Sequence, residues 1–406
     1  MNTGDTAFVL LSAALVMLMT PGLALFYAGM VRSKNALGTL MQSFIIISVI
    51  SLEWILWGYS MAFGPDKFGL IGGLEWFGLR GVGMTPHSSY GPTVPHQVFM
   101  IYQCMFAVIT PALITGAFAE RMRFGSFLIF SLLWATLVYN PLAHWIWADG
   151  GWLRRLGALD FAGGMAVHLS SGVAALAAAI LLGKRKGYGS EELKPHNLPM
   201  TLLGAGILWF GWFGFNAGSA LAAGSLAGSA FVATHIAGTT GALAWIAMEW
   251  KMTGKATTLG AASGAIAGLA TVTPASGFVG PISAAFIGLL AGTACYLGIR
   301  AKNRLKYDDS LDVVGIHGVG GVLGLLATGF LASKAVNPDG ADGLLFGNPS
   351  LLGIQALAVL STIAYAFVVT FVLLKFVDRA FGLRVPENEE ISGLDLSQHQ
   401  ETAYNL

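Results

Sequence analysis

Charge is scarce in this chain. Of 406 residues only 11% are Asp, Glu, Lys or Arg, and 22 basic against 21 acidic side chains leave a net charge of +1. Soluble domains carry about a quarter charged residues, so a water-solvated globule is excluded. So is the basic surface that a nucleic-acid partner requires. Cysteine is scarcer still: Cys104 and Cys295 are the only two, and both fall inside apolar runs. They are expected to be buried thiols, with no disulfide framework, metal cluster or cofactor site. The start, Met1-Asn2-Thr3-Gly4-Asp5, has no basic segment ahead of its apolar run and does not read as a cleavable secretory signal. No constellation for nucleophilic or metal-dependent catalysis is visible, so the chain does not read as an enzyme.

What the chain has is apolar length, with 55% of its residues hydrophobic. A helix crossing the hydrocarbon needs about 20 apolar residues. Eleven stretches qualify, at roughly 6–31, 39–63, 97–118, 124–147, 161–183, 198–220, 226–249, 257–273, 278–299, 312–333 and 350–377. The eighth is the shortest and ends at Thr273-Pro274, where a break or bend is expected. The expected fold is all-α and polytopic, with a transmembrane domain over 1–377 and a polar cytoplasmic tail over 378–406. Glycines spaced by four, at 260/264/268, 288/292 and 320/324, clear helix faces for close packing.

Eleven spans put the two ends on opposite sides. Arg32, Lys34, Arg121, Arg123, Lys184, Arg185, Lys186, Lys194, Lys251, Lys255, Arg300, Lys302, Arg304, Lys306, Lys375, Arg379 and Arg384 share one side. Only Lys67, Arg80, Arg154, Arg155 and Lys334 lie on the other. The excess marks the cytoplasmic face, giving an outer N-terminus, an inner C-terminus and a multi-pass protein of the cell membrane.

Spans one to five and six to ten echo each other. Phe26-Tyr27-Ala28-Gly29 is answered by Phe215-Asn216-Ala217-Gly218, Thr110-Pro111-Ala112 by Thr273-Pro274-Ala275, and His168 with Gly172-Val173 by His317 with Gly321-Val322. Each echo pairs span n with span n+5. Five is odd, so the halves (about 6–183 and 198–333) are expected to be inverted, with a pathway at their interface and span eleven outside the repeat.

A histidine in lipid must face a cavity or a partner. His144 and His235 read as packed, hydrogen-bonded side chains. His168 and His317 hold equivalent places in the repeat and read as functional. Counting about 1.5 Å per residue from Asp160 and from Asp312 puts them roughly 12 and 8 Å from opposite ends. Across a core of about 30 Å that leaves about 10 Å between them, so contact does not follow. Trp212, Phe215 and Ser219 share one helix face, Tyr102 and Phe106 another, and Trp147 closes the outer end of span four. Spacing alone favours packing for these aromatics, and interfacial anchoring for Trp147.

Three segments are more specific. Asp160-Phe161-Ala162-Gly163-Gly164 leading to His168, Gly211-Trp212-Phe213-Gly214-Phe215-Asn216-Ala217-Gly218-Ser219, and Gly315-Ile316-His317-Gly318-Val319-Gly320-Gly321 resemble the Amt/Mep/Rh ammonium transporter family, on its bacterial and archaeal Amt side. The resemblance runs over nearly the whole chain. It implies a homotrimer with one pore per subunit, carrying ammonium or ammonia, with methylammonium as an analogue. It also implies an outer recruitment site of Trp147, Phe106 and Ser219, a gate of Phe106 and Phe215, and a pore lined by His168 and His317. Asp160 takes a structural and electrostatic role near the outer site, beside Trp212 and Tyr102. Tyr102 stands where relatives often carry Phe, which alters the outermost aromatic contact. The tail from Arg384 to His399 resembles the family's regulatory tail, which implies contact with neighbouring subunits and with a cytoplasmic PII signalling protein; Gln400 departs from the glycine often found next.

Other readings stay open at this point. An Rh-like carrier of neutral gas and an ammonium sensor share these features. Two intramembrane histidines on different helices are also the ligand pattern of a b-type haem.

Overall fold

In hydrocarbon a backbone has only itself to bond, so long apolar runs close as helices. The computed structural model describes residues 1–404. Among these, ten helices are long and apolar enough to cross a membrane. They are α1 Thr3–Met30, α2 Ser33–Phe63, α3 His96–Phe118, α4 Phe124–Leu156 (bent at 148–151), α5 Gly164–Leu182, α6 Leu198–Ala220, α7 Ser225–Thr253, α9 Pro281–Leu305, α10 Val314–Leu331 and α11 Pro349–Phe381. The expected eighth span is a shorter apolar helix, α8 Thr258–Val272. It stops one residue before Thr273-Pro274, and the chain continues as turns over 273–278.

The spaced glycines are packing positions. A Cβ on Gly268 would lie 2.1 Å from the Ala237 carbonyl oxygen, and one on Gly324 equally close to that of Thr271. Backbones therefore meet where side chains would forbid it. Both cysteines are free and buried. His144 is packed as expected, its ring bonded to the Ala62 carbonyl at 3.0 Å and to Asp66 at 2.9 Å. His235 is not: it is exposed on the outer side of α7, touching only the rings of Trp209 and Phe213. Helical phase decides this, since its flanking buried residues, Thr234 and Ala237, point the other way.

Four short π-helical turns interrupt the helices: Trp54–Gly58 in α2, Ala135–Tyr139 in α4, Gly164–Leu169 opening α5 and Val314–Gly318 opening α10. Such turns widen a helix by one residue and re-aim its side chains. Between α2 and α3 the loop carries a small antiparallel pair, β1 Asp66–Lys67 and β2 Ile71–Gly72.

The tail folds back as α12 Glu387–Ser392 and α13 Leu394–His399. The Asp395 carboxylate accepts the Leu37 and Gly38 amides at 3.0 and 2.8 Å, near the start of α2. Arg384 pairs with buried Glu390 at 2.7 Å. Residues 405 and 406, the last two of the tail predicted from the sequence, lie outside the described residues. Nearby, Arg185 grips Asp308 at 2.9 Å through two nitrogens and reaches Glu120, which also holds Arg32 at 2.9 Å. Burial pushes the Glu120 carboxyl up, but Arg185 and Arg32 outweigh it and hold it below the usual carboxylate range.

Candidate functional site

The end of α4, the loop 157–163 and the end of α6 enclose an open vestibule of about 510 Å³. Phe106, Trp147, Ser219, Asp160, Gln103 and Tyr90 are among its walls. The Trp147 indole N–H donates to the Asp160 carbonyl at 2.8 Å, which fixes the ring and leaves its face to the cavity. Phe106 meets it edge-on, with ring centroids 6.1 Å apart at 84°.

Ser219 is held from behind. Its hydroxyl donates to the Phe215 carbonyl at 2.9 Å, and the Tyr102 hydroxyl lies 3.2 Å away. The Tyr102 hydroxyl also reaches the Gly214 and Phe215 carbonyls at 2.9 and 2.8 Å. Carbonyls therefore claim the hydroxyl hydrogens, and Ser219 keeps an oxygen lone pair for the vestibule. Tyr102 is fully buried and does not line the vestibule. The extra hydroxyl expected to alter the outer aromatic contact instead anchors the end of α6.

Phe106 closes the vestibule and covers a second ring. Phe106 and Phe215 stack with centroids 4.3 Å apart at 33°, both essentially inaccessible. Beneath them His168 stacks on Phe215, Trp212 and His317 at 6.0, 5.5 and 5.2 Å. Trp212 is fixed by an indole bond to Thr273 at 3.0 Å. The two histidines touch, Nδ1 to Nδ1, at 3.2 Å. They meet because α5 and α10 each start only a few residues ahead of their histidine, after non-helical chain. A depth count along a straight helix therefore overstated the separation. Behind the pair, Gly172 lets α5 and α10 cross, since a Cβ there would lie 2.2 Å from the Gly318 amide nitrogen.

The Nδ1–Nδ1 bond contains one hydrogen. The imidazole that donates has a bare Nε2, while the acceptor carries its own hydrogen on Nε2. One acceptor and one donor are thus left over, and Nε2 of His168 has no protein partner. The surrounding lumen is walled mainly by aliphatic and aromatic side chains, with about 10 Å³ of free volume. That is about the room one water needs. Rings bonded to each other in so small a space do not fit a haem between them.

Asp160 is committed to backbone. Its carboxylate accepts the amides of Gly163, Gly164 and Met165 at 2.7–2.8 Å and that of Ala166 at 3.4 Å, capping α5 four residues before His168. Gly163, at φ 114°, makes that tight wrap accessible. Its counterpart was missed from sequence. Asp309 sends Oδ2 to the Val314 amide at 2.8 Å at the start of α10. Both aspartates stand eight residues before one of the paired histidines, a spacing the repeat contains but Asp312 obscured.

A bundle of apolar helices around a narrow histidine-lined lumen defines a multi-pass membrane protein. Residues 7–404 match the family model described as Ammonium Transporter Family, and the chain belongs to that family. It is 54% identical over 405 residues to the ammonium transporter of Bacillus subtilis (strain 168), covering 100% of this chain and 99% of that one. Among solved structures, Saccharomyces cerevisiae Mep2 superposes with a TM-score of 0.89 at 37% identity, over 96% of this chain and 89% of that one. A structure described as a Sensor Amt Protein superposes at 0.90 with 29% identity, over 98% of each chain.

Proposed function

We propose that this protein carries ammonium across the cytoplasmic membrane, taking the cation at the vestibule, removing its proton near the stacked phenylalanines and passing ammonia along the histidines. The observation that carries the proposal is the direct His168–His317 contact beneath the Phe106–Phe215 stack.

Ammonium and potassium match in charge and size, so a simple cation hole does not separate them. Ammonium has N–H donors and a removable proton. The face of Trp147 attracts a cation by roughly 0.5–2 kcal/mol, and the Ser219 lone pair accepts one N–H. Below the stack, an ion at mid-membrane costs at least about 2.5–3.5 kcal/mol. Ammonia escapes this by leaving its proton behind, whereas potassium keeps its charge. One donor and one acceptor on the paired imidazoles then suit a molecule that is both, and the pair also suits relay of the released proton.

The same proposal takes an outer N-terminus, an inner C-terminus, eleven spans in an inverted five-plus-five repeat with a peripheral eleventh, and a homotrimer. The basic residues gathered at the tail end support the orientation. The folded tail and its basic neighbours support docking of a PII-type regulator. A sensor that binds ammonium with little transport is the second reading, favoured by the close superposition on the Sensor Amt Protein.

Reconstituted liposomes given an ammonium pulse test the proposal. Transport with proton transfer gives a saturable current for ammonium and none for potassium, abolished in the His168→Ala/His317→Ala double variant. Internal alkalinisation without current indicates neutral conduction of the Rh type. Binding with neither response indicates the sensor.

A further inference from the structure

The four π turns fall into two pairs. One pair holds the twin histidines. The other pair, Trp54–Gly58 and Ala135–Tyr139, flanks a second ionisable side chain to which the transport proposal gives no role: Glu53, 1% exposed within span α2.

Its surroundings are polar but carry no countercharge. Oε1 accepts from Asn140 Nδ2 at 2.8 Å and from Thr136 Oγ1 at 3.1 Å. Thr136 Oγ1 accepts the Trp57 indole N–H at 3.0 Å, which leaves its own hydrogen for Oε1. Oε2 has no partner and lies against Gly58, where a Cβ would come within 2.2 Å of it. Beside it stand Cys104 of α3, a buried thiol bonded to Ser51 at 3.6 Å, and buried Tyr139 of α4, whose ring lies 6.2 Å from Trp54. Farther along the same elements Tyr59 and His96 are bonded to each other at 2.5 Å, Tyr102 bonds the Gly214 and Phe215 carbonyls, and His144 bonds Asp66. Among the described residues no Lys, Arg or His forms an ion pair with Glu53.

We infer that Glu53 is a proton-binding site within the membrane, separate from the histidine lane. The two oxygens have the unequal environments of a carboxylic acid: Oε1, with two donors, is the carbonyl oxygen, and Oε2, with none, carries the hydrogen. A carboxylate would place a full charge between α2 and α4 with no cation and only one oxygen solvated, a costly arrangement in hydrocarbon. One further acceptor, Asn140 Oδ1 on the residue whose Nδ2 bonds Glu53, also lacks a donor. The site therefore favours bound hydrogen. Its loss drives the helices apart, so tight α2–α4 packing is present in acid and weakens as pH rises through the titration of Glu53.

Infrared difference spectroscopy of the whole protein in lipid reads this without any transport assay, so failure here is distinct from failure of the transport mechanism. At neutral pH the spectrum should contain a protonated carboxyl carbonyl band that disappears in Glu53→Gln, while that variant keeps the wild-type helix content. Gln places an N–H where the acid has its hydroxyl and should also remove the alkaline loss of thermal stability. An unchanged carbonyl region in Glu53→Gln, or a wild-type difference showing only carboxylate bands, overturns the assignment. Should Glu53→Gln fail to assemble, Glu53→Asp supplies the test: the band moves if it belongs to residue 53, and a band that stays in place refutes it.

Discussion

Asp160 and Asp309 do the same work in the two halves of the chain: each places a carboxylate on the backbone amides that open the helix bearing one of the two touching histidines. The histidines are thereby aimed by buried acids whose carboxylates are spent on backbone amides. The arrangement is unequal, since Asp160 receives four amides, whereas Oδ1 of Asp309 has no partner.

Asp160→Ala should be severe. It strips the acceptor from four buried amides, and each orphaned donor costs about 1–3 kcal/mol. A loss on the order of 3 kcal/mol or more is expected by thermal unfolding in detergent, with transport falling in parallel. Asp160→Asn keeps one oxygen but turns an NH2 toward the remaining amides, so its loss should be intermediate.

Asp309 gives a pH signature. Burial, reinforced by Asp312 and opposed by Lys302, pushes its carboxyl from 3.8 up to about 6. A raised acid stabilises the fold in its protonated form, so this contribution is full below about 3.8 and is lost as pH rises through about 6. Asp309→Asn should flatten that part of the stability profile while still accepting the Val314 amide. A profile identical to wild type would refute the assignment.

Glu120 works with the opposite sign. Held low by its arginines, it contributes stability above about 4.5 that is lost as pH falls. Glu120→Gln leaves Arg32 and Arg185 with a neutral partner and should cost on the order of 3 kcal/mol at neutral pH. The variant should also lose part of the acid-side destabilisation, measured by melting between neutral and acidic buffer.

Tyr102→Phe separates positioning from contact. The ring survives, but Ser219 loses its neighbour and the Gly214 and Phe215 carbonyls lose the one hydrogen they share, at about 0.5–1.5 kcal/mol. Apparent affinity for ammonium should weaken several-fold with maximal flux little changed. Equal loss of both would mean that the hydroxyl acts beyond the vestibule.

Gly172→Ala tests the crossing behind the histidines. The added methyl would meet the Gly318 backbone, which has no side chain to move aside. Overpacking costs about 1–3 kcal/mol, and the Nδ1–Nδ1 contact should open. Stability and ammonium-over-potassium selectivity should drop together.

Much of this was legible in the sequence. Of the eleven apolar runs read as spans, ten are helices long and apolar enough to cross a membrane, and the run ending at Thr273-Pro274 is the shorter α8. Echoes between the halves singled out His168 and His317. Their contact was not legible, because counting residues presumes a helix that starts at the surface, while Gly164 and Val314 open theirs close to the histidines. Exposure of His235 was missed because helical phase, not hydropathy, decides it. Glu53 drew no attention because a single acid leaves an apolar run apolar.

The hydrogen between His168 and His317 makes the pair a one-bit memory. Written one way, the upper ring donates and the lower receives; written the other way, the order reverses. On the proposed mechanism, neutral ammonia would leave the bit as it stands, but a proton handed in at one end and out at the other would flip it. Until the rings are reset, the next proton cannot travel the same way, so any proton current through this lane is clocked by its recovery rather than by the supply of ammonium.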